Sequence, residues 1–355
     1  MNAPDHARCT EDLLSWYTTH YRPLPWRQSL NPYHIWISEI MLQQTRIEAV
    51  VPYYDRFLRE CPDVRSLATL PEERLLKLWE GLGYYSRARN LQKAARIIVE
   101  RYDGKLPADY ESLLFLPGIG EYTAGAIASI AFGIPVAAVD GNVMRVLARL
   151  MGDDTDVMSS GAKHHFADLV KELLPDTQAG RFNQALMELG ETVCLPRINP
   201  NCTQCPWNAY CRAHIEGSVQ MLPVRSKKKP RRIEDRRVAV VIVVGDTPRV
   251  LLHKRPSNGL LAKLWELPNA LTNEPVLPVE ILENCYEDMA LPNAKHIFSH
   301  VEWHMTGKLY RMPSTALPEG YHAVSLAEME RDYALPSAFR TYAALLPTLL
   351  QKEEI

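Results

Sequence analysis

The sequence predicts two domains of different structural class, an all-α domain followed by a smaller domain that contains β-strands. Between about Glu11 and Ala213, apolar residues recur every three or four positions, the spacing of one face of a helix. From Arg237 onwards, runs of β-branched residues replace that pattern. With 355 residues and 46% hydrophobic content, the chain is long enough to bury a core in each domain.

The boundary between the domains lies in a charged, proline-containing segment, Pro223–Asp235, that lacks apolar periodicity. We therefore predict a helical domain at residues 1–221, a basic linker at 222–236 and a second domain at 237–355.

Within the helical domain, apolar residues gather in runs such as 67–79 and 91–98. Proline lacks the N–H that a helix interior needs, so it favours helix ends. Five prolines lie between the runs, and we expect helices to begin or end at each of them: Pro52, Pro62, Pro71, Pro107 and Pro117.

In the second domain, residues 238–244 form a β-branched run, and a turn sequence separates them from a return strand at 250–254. We predict a second strand pair within His296–Met312, with its turn near Thr306-Gly307. The segment Ala338–Leu350 is expected to close the domain as a helix.

A glycine-containing turn is followed by an aspartate about one helix later. Leu116–Gly125 reads LPGIGEYTAG, and Val139–Asn142 reads VDGN. Gly118 and Gly120 can adopt positive φ angles, so a turn between two helices can point backbone N–H groups at a phosphate. Alone, such a turn is more often a connector, and an aspartate like Asp140 a helix cap.

Four cysteines have the spacing C-x7-C-x2-C-x5-C: Cys194, Cys202, Cys205 and Cys211. Four thiolates this close together favour a metal site over disulfides in a cytosolic chain. The spacing alone does not distinguish a zinc ion from a [4Fe–4S] cluster.

A glutamate lies within an apolar helical pattern. Pro32–Thr45 reads as a buried helix, and Glu39 falls among its apolar residues. Taken alone, Glu39 is more often a residue at a solvated edge; the alternative is a carboxyl whose pKa is raised by burial.

Net charge does not indicate a polyanionic partner, because the chain has 40 basic and 42 acidic side chains and a net charge of −2. Basic residues concentrate between Arg225 and Arg237, which leaves the rest mildly acidic. We interpret this segment as a solvated linker that touches a nucleic-acid backbone, although Lys227–Arg232 also fits the weak pattern of a nuclear-import signal.

Cellular location and assembly follow from the absence of two signals. The amino terminus has no apolar signal segment, and no apolar run approaches the ~20 residues that span a bilayer. We therefore expect a cytoplasmic protein with no membrane partner. Nothing in the sequence indicates a symmetric interface, so a monomer is expected.

The turn, the downstream aspartate and the cysteine cluster together resemble the core of helix-hairpin-helix DNA glycosylases of the endonuclease III superfamily. Residues 32–45 and 78–90 resemble the MutY family of adenine DNA glycosylases, and this resemblance covers most of residues 11–213. The carboxy-terminal part resembles the Nudix-like domain of that family through Gly259–Pro268 and Phe298–His300. It has no acidic Nudix box between these motifs, so we expect it to read DNA and not to hydrolyse pyrophosphates.

The resemblance implies a fold and a set of catalytic residues. The fold would be an all-α helix-hairpin-helix glycosylase domain with an iron–sulfur cluster loop, followed by an α/β Nudix-like (MutT-like) domain. Glu39 would protonate N7 of adenine, and Asp140, kept ionised by hydrogen bonds, would stabilise the oxocarbenium-like sugar and form a transient adduct. Tyr122 occupies the position of the lyase lysine in endonuclease III, which implies a monofunctional enzyme. Tyr122 and four further residues match positions that shape or border the adenine pocket: Asn142, Glu188, Trp26 and Arg27.

Adenine inside a duplex is unreachable, so the enzyme must flip the nucleotide and fill the gap. The resemblance implies that Gln43 or Gln44 wedges into the base stack together with Tyr84, which is followed by the basic residues Arg87 and Arg89. Arg87 would also bind DNA. Gly118 and Gly120 would bind the DNA backbone.

The loop of Phe298, Ser299 and His300 would contact 8-oxoguanine opposite the adenine, with Ser299 as its hydrogen-bond partner. The expected partner is therefore double-stranded DNA that carries adenine opposite 8-oxoguanine or guanine. The sequence identifies no replication or repair protein that binds the chain.

The same resemblance implies one [4Fe–4S] cluster held by Cys194, Cys202, Cys205 and Cys211. The family's first interval has six residues, whereas this chain has seven, so Cys194 is the ligand most affected. The cluster would fix a loop bearing Arg197 near DNA.

Two other interpretations stay open at this point. One is an endonuclease III-like enzyme that removes oxidised pyrimidines with lyase activity, against which Tyr122 and the second domain argue. The other is a non-catalytic DNA-binding or iron–sulfur scaffold in which Glu39 and Asp140 are structural.

Overall fold

The computed structural model describes residues 6–196, 200–227, 230–314 and 316–351. The chain divides into two compact units. The first contains the chain up to Thr69 and the stretch from Asn90 to the basic linker. The second contains Leu70–Arg89 together with the chain after the linker. The division predicted at 222–236 assigns Leu70–Arg89 to the helical domain, whereas in the structure these residues belong to the second compact unit.

Helices account for the regular structure before the linker, as the apolar periodicity predicts. Their bounds are α1 His6–His20, α2 Pro32–Leu42, α3 Ile47–Glu60, α4 Val64–Thr69, α5 Glu72–Leu78, α6 Ser86–Tyr102, α7 Tyr110–Leu114, α8 Glu121–Phe132, α9 Gly141–Met151, α10 Ala162–Leu173, α11 Ala179–Thr192 and α12 Arg212–Ile215. Within the described residues, none of these helices has the length and apolar character needed to cross a membrane.

Four of the five prolines lie outside helices as predicted, but Pro52 lies inside α3. The prediction was wrong there because Pro52 is exposed. The helix carbonyl that would accept a hydrogen bond from this position can accept one from water instead.

A buried core in the first unit joins α1, α9, α10 and α11. Leu13, Leu147, Phe166 and Phe182 are fully buried within it. Trp207, which lies between Cys205 and Cys211, packs into the same core and donates its indole N–H to the Cys9 carbonyl at 2.9 Å. The segment that carries the cysteines is thereby attached to the helices around the site.

The second unit is built on one mixed sheet. Its strands are β1 Arg232–Val244, β2 Arg249–Lys254, β3 Trp265–Glu266, β4 Asn269–Leu271, β5 Tyr286–Ile297, β6 Val301–Pro313 and β7 Tyr321–Val324. The strand order is β3-β2-β1-β6-β5, while β4 pairs with β1 and β7 pairs with β2. β1 and β6 are parallel, and the other pairs are antiparallel.

Alternate residues of β1 enter two different cores, as the period of two in a strand requires. Val238, Val240 and Ile242 face one core, and Ala239 and Val241 face the other. This unit includes α5 from the earlier part of the chain, and its helices after the linker are α13 Val279–Leu282, α14 Leu326–Asp332, α15 Arg340–Ala343 and α16 Leu346–Gln351.

The predicted hairpin of 238–254 is confirmed, with Ile242 opposite Val250. The predicted turn at Thr306-Gly307 is wrong, because Gly307 lies in the middle of β6 and the strands turn at residues 298–300. A Cβ at Gly307 would lie 2.3 Å from the Tyr342 ring, so the glycine is there for close packing.

The predicted closing helix is interrupted. A 3-10 turn at Ser337–Phe339 and α15 precede α16, and Pro347 lies in the first turn of α16. Proline has no N–H to donate and therefore favours the first turn of a helix, where Pro347 lies in α16.

Candidate active site

An open cavity of about 960 Å³ lies in the first unit, where the ends of several helices meet. The carboxyl end of α2 and the amino ends of α8 and α9 border it, together with the last turns of α11. Its walls contain most of the predicted catalytic and adenine-binding residues: Glu39, Tyr122, Asp140, Asn142, Trp26, Arg27, Gln43, Gln44 and Gly120.

Glu39 is buried on α2 and retains only 6% of its exposure. Burial raises the pKa of its carboxyl to about 7; the nearby Asp140 adds to the rise, and a hydrogen bond from Tyr122 opposes it. The Tyr122 hydroxyl donates to Glu39 Oε2 at 2.7 Å. A carboxylic acid in this setting keeps its proton close to neutral pH and can donate it.

Asp140 caps the amino end of α9. Its Oδ1 accepts the N–H groups of Asn142 and Val143 at 2.9 and 2.8 Å, and its Oδ2 accepts the Asn142 side-chain amide at 3.0 Å. Burial is nevertheless the larger effect and raises the pKa of Asp140, although these hydrogen bonds oppose the rise. The sequence-based expectation emphasised the hydrogen bonds and overlooked the burial.

Asn142 connects Asp140 to the cysteine region through Arg145, which the sequence analysis did not identify. Arg145 donates to the Asn142 side-chain oxygen at 2.9 Å and to the Cys194 carbonyl at 2.9 Å. Gly190 lies against Asn142, and a Cβ there would come within 2.8 Å of the Asn142 Cβ. The close approach of α11 to α9 therefore fixes the orientation of Asn142.

Glu188 does not line the cavity but lies fully buried behind it. Arg22 donates to both of its oxygens at 2.5 and 3.0 Å, and Arg27 donates to Oε2 at 2.7 Å. Burial opposes ionisation of Glu188, but the two arginines outweigh it and lower the pKa. Glu188 therefore positions two arginines at the cavity wall, of which Arg22 was missed in the sequence.

Of the two candidate glutamines, Gln43 donates to the Thr123 hydroxyl at 3.2 Å, whereas Gln44 is exposed with a φ of +58°. Gln44 is thus the one that projects from the end of α2.

The helices α7 and α8 and the segment between them form the predicted hairpin. Gly118 has a φ of +81°, as predicted, but Gly120 has a φ of −100° and is the amino-terminal cap of α8. Neither amide N–H donates to an acceptor within the described part of the chain. The two amides therefore suit an external oxygen such as that of a phosphate.

In the second unit, the Tyr84 hydroxyl lies 2.8 Å from the Ser299 hydroxyl. Tyr84 is 44% exposed and has a φ of +46°. Arg87, predicted to bind DNA, is buried and donates to the carbonyls of Leu82 and Gly83. Burial lowers its pKa to about 10. Arg87 therefore supports the Tyr84 loop from inside.

The turn between β5 and β6 presents Ser299 and His300 to solvent, while Phe298 packs edge-on against Trp303 at 4.8 Å between ring centres. Arg231 of the predicted linker donates to the Phe298 carbonyl at 3.0 Å. The turn is thus anchored on one side and open on the other.

The four predicted metal ligands surround one small cavity: Cys194, Cys202, Cys205 and Cys211. Arg149 donates to Cys194 Sγ at 3.2 Å. Within the described residues, no group of three or more His, Cys, Asp or Glu forms a preformed metal site. The chemistry of the ligand set, four thiols around one space, fits a thiolate-bound cluster. Arg197 lies outside the described residues.

Two family models match the chain. Residues 37–172 match the HhH-GPD superfamily of base excision DNA repair proteins, and residues 238–345 match the NUDIX domain. A solved thermostable thymine-DNA glycosylase aligns over 61% of this chain and all of its own length, with 29% identity and a TM-score of 0.56. These matches and the buried carboxyl cavity define a DNA N-glycosylase with a helix-hairpin-helix domain and a Nudix-like domain.

Two curated relatives define the family more narrowly. An adenine DNA glycosylase from Rattus norvegicus is 41% identical over 74% of this chain, which spans 60% of that relative. One from Mus musculus is 36% identical over 93% of this chain and 77% of its own length. The chain belongs to the adenine DNA glycosylase family, which is the MutY family.

Proposed function

We propose that this protein removes adenine opposite 8-oxoguanine or guanine by hydrolysis of the N-glycosidic bond in double-stranded DNA. The observation that carries this proposal is a pair of carboxyls in one cavity, the buried Glu39 and the half-buried Asp140. The pKa of Glu39 near 7 suits a general acid at physiological pH.

In the proposed reaction, Glu39 gives its proton to N7 of the flipped adenine. The glycosidic bond then breaks, and its electron pair leaves with the base. Asp140 stabilises the positive charge on the sugar and forms a transient bond to C1′, which water then replaces. Water supplies the hydroxyl at C1′, and its proton returns to a carboxylate. The Tyr122–Glu39 hydrogen bond orients the acid.

The support for a monofunctional enzyme is Tyr122, whose phenol cannot form the imine that strand cleavage requires. Among the described residues that line the cavity, Lys163 carries the one lysine amine. Any strand cleavage without alkali is therefore tested with Lys163→Met.

Lesion reading is proposed for Tyr84 and Ser299, which lie within hydrogen-bond distance on an exposed face. Gln44 is the second proposed wedge, and the amides of Gly118 and Gly120 are the proposed phosphate contacts. The four cysteines would hold a [4Fe–4S] cluster, which when bound would cross-link the chain around Cys194 and so support Arg145.

The test is single-turnover release of adenine from a duplex with one adenine opposite 8-oxoguanine, with and without alkali before electrophoresis. Strand breaks that appear only after alkali support the proposal. Breaks without alkali, or no release of adenine, contradict it, and breaks that Lys163→Met abolishes would identify Lys163 as the amine that forms the imine.

A further inference from the structure

A lysine and a glutamate bind the chain that follows α14. Lys77 Nζ donates to the carbonyls of Met329 and Tyr333, each at 3.1 Å, and pairs with Glu80 Oε2 at 2.7 Å. Glu80 Oε1 accepts the N–H of Leu335 at 2.6 Å. We call this group the Lys77–Glu80 clamp.

The clamp is built more tightly than its neighbours. The Lys77 side chain is 12% exposed, so its ammonium has left water and has three acceptors instead. The Met329 and Tyr333 carbonyls lie in the last turn of α14 and just beyond it, where helix carbonyls attract a cation. By contrast, the ion pair of Lys254 with Glu73, which connects α5 to β2, is 38% and 59% exposed.

The clamp lies next to the loop that carries Tyr84, four residues beyond Glu80. The Trp79 indole donates to the Gly83 carbonyl at 3.2 Å, and Arg87 donates to the same oxygen at 3.2 Å. These contacts hold Tyr84 at a positive φ, which is unfavourable for a residue with a side chain. The Tyr84 hydroxyl thereby reaches Ser299.

We propose that the Lys77–Glu80 clamp is a positioning element that holds Tyr84 beside Ser299 before DNA binds. This inference rests on the proposed lesion-reading role of those two residues. A loop that is ordered during folding avoids the free-energy cost of becoming ordered on binding. The clamp therefore strengthens recognition without touching DNA. The effect should appear in the preference for 8-oxoguanine and not in stability alone.

Four full-length variants test the clamp, each in an Asp140→Asn background so that the duplex stays intact. Lys77→Met removes the ammonium, and Lys77→Arg keeps a cation. The double variant Lys77→Met with Glu80→Leu removes both charges, so that neither is left buried without a partner. Lys254→Met is the matched control because it breaks an exposed ion pair that α5 makes with β2 and not with the chain around the end of α14.

Three quantities are measured for each variant: the melting temperature, the ratio of dissociation constants for duplexes with guanine and 8-oxoguanine, and the fluorescence of a 2-aminopurine next to 8-oxoguanine. The last reports unstacking by a wedge. We expect Lys77→Met to lower the preference for 8-oxoguanine over guanine about tenfold, which corresponds to the cost of ordering one or two side chains on binding. It should also reduce the 2-aminopurine fluorescence. Lys77→Arg should retain part of the preference and of the fluorescence, and Lys254→Met should leave the two quantities unchanged.

The double variant separates positioning from stability. We expect it to recover most of the melting temperature but not the preference. Recovery of both would show a purely structural role and overturn the proposal, as would an unchanged preference in Lys77→Met. If the Asp140→Asn protein without clamp changes already binds both duplexes equally, the lesion-reading function itself fails, and the clamp has nothing to position.

Discussion

The carboxyl cavity and the Phe298–His300 turn hold their side chains in different ways. In the cavity, Asp140 accepts three hydrogen bonds, and behind the cavity wall the buried Glu188 is bound by two arginines. At the turn, Ser299 and His300 are exposed, and the Ser299 hydroxyl is within reach of the Tyr84 hydroxyl.

This difference indicates how each region tolerates change. Buried, hydrogen-bonded groups depend on one another for their orientation and protonation state, so the loss of one group disturbs the others. An exposed turn can lose one contact while its neighbours stay in place. We therefore expect large losses of rate from the cavity and small, selective losses of recognition from the turn.

The largest effect is expected for Asp140→Asn. Asparagine caps a helix about as well as aspartate, so α9 should stay intact while the negative charge that stabilises the sugar is lost. Single-turnover adenine release should fall by about 10³-fold, as expected when one preorganised electrostatic group is removed.

Asp109→Asn is the control for that variant, because Asp109 caps α7 through the Ser112 N–H at 2.7 Å and lies outside the cavity lining. It should release adenine at the original rate. An Asp140→Asn protein that keeps normal release would instead favour a structural role for both carboxyls, and the contrast between cavity and turn would fail.

Glu39→Gln should slow adenine release by about 10²-fold or more and change its pH dependence, because the general acid is lost. With a pKa near 7 for Glu39, the rate of the unsubstituted protein should decline as pH rises above 7, whereas the residual rate of Glu39→Gln should not. A decline that persists unchanged in the variant would assign the titration to another group.

The same substitution, which lowers the rate, should raise the melting temperature at high pH. The folded protein binds the Glu39 proton more tightly than the unfolded chain, so the stability associated with it is complete below about pH 4.5 and is lost as pH rises through about 7. Glutamine can still accept the Tyr122 hydrogen bond and carries no charge. Glu39→Gln should therefore melt at a higher temperature than the original protein at pH 8 but not at pH 4. Glu111→Gln, an exposed carboxyl of α7, should show no such difference.

Gly307→Ala should destabilise the second unit without reaching the cavity. The added Cβ would lie 2.3 Å from Tyr342 Cε1 and 3.0 Å from the Leu291 Cβ. Overpacking of this kind costs about 1–3 kcal/mol, which should appear as a lower melting temperature. Gly245→Ala, which meets nothing within 4 Å, is the control and should leave melting nearly unchanged.

Gly307 also illustrates what a single sequence can predict. Helix periodicity, the β-branched run of β1 and the cap at Asp140 are local patterns, and the structure confirms them. A glycine can mark either a turn or a close approach, and the Tyr342 ring that decides the matter lies 35 residues away in the sequence. The sequence alone could not distinguish the two.

The candidate site divides in the same way. Glu39 and Asp140 were predicted because they lie in local motifs that resemble the family, although each signal alone favoured a solvated edge or a helix cap. Arg22 was missed because its partner Glu188 is 166 residues away. Arg87 was assigned to DNA because it follows Tyr84 in the family motif, whereas in the structure it donates to the carbonyls of its own loop. Pairing at long range and the satisfaction of buried backbone groups depend on the fold.

The smallest effect, and the most selective, is expected for Ser299→Ala. Loss of one exposed hydroxyl should weaken the preference for 8-oxoguanine over guanine severalfold, since a hydrogen bond of this kind contributes about 1 kcal/mol. Adenine release opposite guanine should be unchanged, because the cavity is intact.

Tyr84→Phe removes the partner hydroxyl and keeps the ring, so it should give part of the same loss. If the two hydroxyls act as one unit, Tyr84→Phe combined with Ser299→Ala should lose no more than Ser299→Ala alone. Losses that add, or an equal fall on both duplexes, would mean that the turn does not read the lesion through this hydrogen bond.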